Sequence, residues 1–132
     1  MHMTRFLKLV LTADSLSCLG MGAALVTAAA PLSDLFGLAE GLLFGAGLAL
    51  LPIGLFILAV AARKNMAPPF VHAIVAGNVL WVAASAVLAA NAAGATMLGT
   101  TFVLAQAAAV AVLTLLETVG AARARRELAT TA

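Results

Sequence analysis

The stretch LVLTADSLSCLG, residues 9–20, carries an acid inside an apolar run, and Asp14 is the only charged residue between Lys8 and Asp34. On a helix, Asp14, Ser17 and Cys18 share one face through i,i+3 and i,i+4 spacing. A carboxyl group in such a setting can bind a proton or a cation. It can equally be an interhelical anchor, worth only ~0.6 kcal/mol per hydrogen-bonded pair on average. Asn78, Gln106 and Glu117 are further polar residues within apolar segments. The amides of Asn78 and Gln106 can pair with the acid or line a path to it, so Asp14, Asn78 and Gln106 form the candidate ion- or proton-binding set. The sequence has no Gly-rich phosphate loop, no HExxH, no Ser–His–Asp constellation and no cysteine pair. Its two histidines, His2 and His72, are a poor basis for a haem site. No enzyme activity, no cofactor and no metal are expected.

The chain that positions these groups has 132 residues, is 64% hydrophobic and 9% charged, and has a mean hydropathy of +1.16. A soluble domain carries about 25% charged residues, so the class is integral membrane protein and the lipid bilayer is its first partner. The lone Cys18 forms no internal disulfide. The pI near 9.3 is accounted for by topology, and nucleic acid is not expected as a partner.

A span needs about 20 mostly apolar residues, and four segments qualify: 6–29, 41–62, 70–91 and 97–121, followed by a tail over 122–132. APLSDLFG (30–37), RKNMAPP (63–69) and NAAGAT (91–96) separate them, and the first can begin with a short interfacial turn. Links this short make neighbouring helices antiparallel. The expected fold is therefore an all-α, up-down four-helix membrane bundle forming a single domain over residues 1–132. All seven Lys and Arg residues flank one side of that topology: Arg5 and Lys8, Arg63 and Lys64, then Arg123, Arg125 and Arg126. Because positive loops stay cytoplasmic, both termini are expected inside. The first segment imitates a secretory signal, but Asp14 interrupts a long apolar stretch and Pro31 follows the TAAA site, so a retained helix is expected.

Topology converts position into depth. Asp14 lies about 12 Å inside the core, Asn78 is almost level with it, and Gln106 is near the middle. Glu117 lies about 6 Å inside the edge, where snorkelling towards the arginines explains it, and His72 is interfacial. An ionised carboxylate facing lipid at the depth of Asp14 costs at least ~2.5 kcal/mol. Asp14 is therefore expected to face the bundle interior, neutralised or bonded to Asn78, Ser17 or another hydroxyl. Trp81 is too deep for an interfacial belt and fills core space or a lipid groove. In GLAEGLLFGAG (37–47), Gly37, Gly41 and Gly45 are four residues apart, a doubled small-residue ridge suited to close helix packing inside the bundle or against another subunit. Pro52 removes a backbone bond in mid-helix and is expected to kink it.

The pieces LVLTADSLSC, LALLPIGLFILAVAAR, NVLWVAAS and LGTTFVLAQAAAVAVLTLLETVG resemble a group of uncharacterised small four-helix bacterial inner-membrane proteins, which implies the topology above and a bacterial inner-membrane location. A more distant likeness is to the small multidrug resistance transporters, which also have four short helices and an acid in the first. The positive-charge bias sets the chain apart from that family's dual-topology members. The leading expectation is a non-enzymatic accessory or structural subunit that assembles with another membrane protein, or with copies of itself, through Gly/Ala-rich faces. The alternative is a small transporter or channel in which Asp14 binds the proton or cation.

Overall fold

The computed structural model describes residues 2–65 and 67–131. It is all-helical, with α1 (Arg5–Thr27), α2 (Ala29–Phe36), α3 (Glu40–Ala61), α4 (Pro68–Asn91) and α5 (Met97–Thr131). Four of these, α1, α3, α4 and α5, are long and apolar enough to cross a membrane, with mean hydropathy between 1.7 and 2.5. The short α2 is more than the interfacial turn expected in the 30–37 segment. Thr4 caps α1 by accepting from the Leu7 N–H at 3.1 Å, and Pro68 opens α4 where its missing N–H is harmless. α5 does not stop near residue 121. Its 35 residues span roughly 50 Å against a hydrocarbon core of about 30 Å, so the last turns, with all three arginines, project beyond the apolar layer.

Packing is uneven. α1 lies along α3 and α4 lies along α5; these two pairs meet mainly through α1 and α5, while α3 and α4 barely touch although they are consecutive. The α1 stripe Leu7, Leu11, Asp14, Cys18, Gly22 and Leu25 is buried, as is the α3 stripe Leu43, Gly47, Leu50, Gly54 and Ile57, and Cys18, Gly22 and Leu25 meet Gly47, Leu50 and Gly54 across the seam. Both stripes follow the three- and four-residue helical period. The backbones approach closest where Gly22 meets Gly47: a Cβ on either would come within 3.0 or 2.9 Å of the other's carbonyl oxygen. The Ser15 hydroxyl donates across the same seam to the Gly54 carbonyl at 2.9 Å.

The small residues that pack α3 are therefore not the predicted ridge. Around Gly41 and Gly45 nothing lies within 4 Å of an added Cβ, because the buried stripe runs two positions out of register with them. Gly37 is not on that helix at all. It ends α2 in the left-handed conformation, φ 65°, which glycine adopts without strain. Pro52 lies exposed inside α3, which continues through it as helix.

One end of the bundle gathers the cations. The Met3 N–H donates to the Lys64 carbonyl at 2.9 Å, Arg123 stacks over the Phe6 ring at 5.3 Å, and Arg125 contacts His72. At the opposite end, the Thr96 N–H and hydroxyl both donate at 2.9 Å to the end of α2, at Phe36 and Leu35, and Phe36 stacks on Phe102 with centroids 4.7 Å apart.

Candidate proton- or cation-binding site

Asp14 does face the interior, 1% exposed. The Asn78 amide joins it to a second acid: Nδ2 donates to Asp14 Oδ2 at 2.8 Å and to Glu117 Oε2 at 3.1 Å. Asp14, Asn78 and Glu117 come from three helices, α1, α4 and α5, and converge because each sits on the buried stripe of its own helix. The Cys18 thiol donates to Asp14 Oδ1 at 3.8 Å, one turn along α1.

Among the described residues nothing hydrogen bonds to Glu117 Oε1, although Glu117 is completely buried. A buried polar atom left unpaired costs about 1–3 kcal/mol, and more when charged. Two carboxylates facing one amide in an apolar interior repel one another, and ionising one disfavours ionising the other. One proton shared by the pair, or one cation seated between them, removes both penalties. This is the chemistry that the arrangement offers.

Glu117 was read from sequence as an interfacial, snorkelling acid, and the structure corrects this. Depth alone misled, because α5 continues past the arginines, Gly120 packs close to Phe6 and Leu7 of α1, and Glu117, Ala121 and Ala124 are all buried. A periodic signal was present. Ala107, Thr114, Glu117, Ala121 and Ala124 are three to seven residues apart on one buried face, and four of these five are small. Ser17, offered as a partner for Asp14, instead donates to its own helix at the Ala13 carbonyl, 2.9 Å away.

Gln106 is not bonded to the acids. Its Oε1 accepts from the Trp81 indole N–H at 2.8 Å, and its Nε2 donates to the Ser85 hydroxyl and the Val103 carbonyl, each at 2.9 Å. On α4, Asn78, Trp81 and Ser85 line one face, so this second polar cluster stands directly above the carboxyl pair. A cavity of about 530 Å³ connects the two clusters: Asp14, Cys18, Trp81 and Gln106 all line it. A second, of about 350 Å³, opens where α3 and α4 separate and has Asn78, Cys18 and Pro52 in its wall.

Comparison with models of known protein families, with curated proteins and with solved structures gives no match for this chain.

Proposed function

We propose that the chain is a small transporter in a bacterial inner membrane, with both termini cytoplasmic, in which Asp14 and Glu117 form a single proton-exchanging site. The observation that carries this is the buried Asp14–Asn78–Glu117 cluster, with one Glu117 oxygen unpaired among the described residues. An interhelical anchor needs one acid and one amide. A second acid on the same amide adds repulsion without adding a donor, which favours a site that takes up a proton. The cluster also adjoins a cavity large enough to hold water.

The test is ion movement in vesicles reconstituted with the chain and loaded with a pH dye, under imposed proton, sodium or potassium gradients. The wild type is expected to exceed empty vesicles, and Asp14→Asn or Glu117→Gln to return the signal to that background while helicity is kept. A wild-type signal no larger than background, or one that survives both substitutions, would contradict the proposal.

Self-association is supported by a different observation. Gly41 and Gly45 make no contact within 4 Å of an added Cβ and stand beside exposed Leu42, Phe44 and Leu48, a small-residue face suited to a second helix. Such assembly is compatible with transport, with each copy keeping its own carboxyl pair.

A further inference from the structure

Because α3 and α4 barely touch, a cavity of about 350 Å³ stands between these consecutive helices. Its α4 wall is built of small residues, Ala73 and Gly77, and a Cβ added at Gly77 would meet nothing within 4 Å. Ile53 and Phe56 of α3 form the opposite wall, both of them exposed, while Ile57 and Ile74 line it from buried positions. The space is therefore an apolar groove open to the side. Towards the basic end, Phe56 approaches Phe70 across it with ring centroids 6.3 Å apart. Trp81 lines the groove further along α4. From Phe70 to Trp81 is about 16 Å along the helix axis, half of a hydrocarbon core of about 30 Å. The groove thus occupies the depth of one leaflet, the one whose headgroups meet the basic end. There Arg63 and Lys64 join α3 to α4, both exposed, and the Met3 N–H holds the Lys64 carbonyl at 2.9 Å. Between Glu40 and Glu117 the sequence has no acidic residue, so neither wall of the groove supplies these two cations with a counter-ion.

We propose that the α3–α4 groove holds an acyl chain of an anionic phospholipid whose headgroup phosphate rests on Arg63 and Lys64. Basic sites between membrane helices recruit anionic headgroups, and each Lys or Arg near the surface is worth about fivefold in affinity. Phe56 lies about 10 Å along the axis from Arg63, so the cations stand at the headgroup end of the groove. A helix of a second copy fits less well, since with its side chains it is about 10 Å across and the space is only about 350 Å³. The face around Gly41 and Gly45, which suits a helix, lies towards the opposite end of α3. An acyl chain in the groove also lies against Asn78, the amide that joins the two buried acids. Its binding does not require proton exchange at those acids.

Trp81 is the only tryptophan in the chain and lines the groove, so its fluorescence reports what lies there. The test reconstitutes the full chain in vesicles and compares two quenchers: dibrominated phosphatidylglycerol diluted in phosphatidylcholine, and dibrominated phosphatidylcholine diluted in phosphatidylglycerol. Phosphatidylglycerol is expected to be preferred at least fivefold. Arg63→Gln combined with Lys64→Gln should abolish the preference. Gly77→Leu fills the groove from a position where a Cβ has open space, and it should leave only the equal quenching given by surrounding lipid. Ala73→Leu, also at an exposed position, repeats that test should Gly77→Leu lose helicity. Equal quenching of the wild type by the two lipids would overturn the proposal. So would a preference that survives the paired charge variant or a folded groove variant. Shielding of Trp81 from both lipids would place a second copy of the chain in the groove instead, and would overturn it equally.

Discussion

The α1–α3 seam and the seam between α1 and the α4–α5 pair belong to one molecule but are built on opposite rules. The first is closed by glycines. Gly22 and Gly47 bring backbones into contact, Leu19 packs on Gly54, and the one side-chain bond across it, Ser15 to Gly54, satisfies both of its groups. The second is polar, cavity-lined and electrostatically incomplete, with two acids on one amide and an oxygen left over. Lipid provides no hydrophobic drive for helices to associate, so close packing has to supply the adhesion. The contrast separates two kinds of seam: α1–α3 is held by close backbone packing, whereas α1 meets the α4–α5 pair around a buried polar cluster.

Breaking the packed seam should give the largest effect. Gly47→Leu places a side chain where even a Cβ would meet the Gly22 carbonyl oxygen at 2.9 Å. A loss of about 1–3 kcal/mol, the usual range for overpacking, is expected in denaturant titrations followed by circular dichroism. Asn78→Leu attacks the polar seam. It removes the donor shared by two buried acids, and about 1–3 kcal/mol should be lost, with Asp14→Asn in the same chain recovering part of it because one repelling acid is gone. If the double variant is no more stable than Asn78→Leu alone, the two acids do not act on one another.

Smaller changes sharpen the comparison. Ser15→Ala deletes one interhelical bond in a seam held mainly by packing, and about 0.6 kcal/mol is expected from the membrane average. Gly41→Leu with Gly45→Leu should leave monomer stability within about 0.5 kcal/mol, as for surface sites generally. Any effect of that pair should show instead in cross-linking or light scattering, as loss of association. A large drop in monomer stability would mean that this face packs inside the bundle after all.

The architecture was legible in the sequence because membrane physics leaves few choices. Span length, the three short links and the clustering of Lys and Arg suffice to give four long antiparallel helices. The short α2 was harder to see, since its end depends on contacts made 60 residues away by Thr96 with Leu35 and Phe36. Asp14 and Asn78 were legible as a pair from matching depth, because both helices start from the same face. Glu117 was not, because depth gives height but not rotation about the helix axis, and rotation decides whether an acid meets arginines or another acid. Whether the Gly41 and Gly45 ridge turns into the bundle was not legible for the same reason: the face that meets α1 is fixed by Leu43, Leu50 and Ile57 alongside Gly47 and Gly54.

The proposed site requires Asp14 and Glu117 to share one proton. The most direct measurement is the pH-dependent infrared difference spectrum of the chain in lipid, following the carboxyl C=O bands in the wild type, Asp14→Asn and Glu117→Gln. With a shared proton, each single substitution should shift the titration of the acid that remains. Two bands that titrate independently, each unaltered by loss of the other residue, would contradict the account.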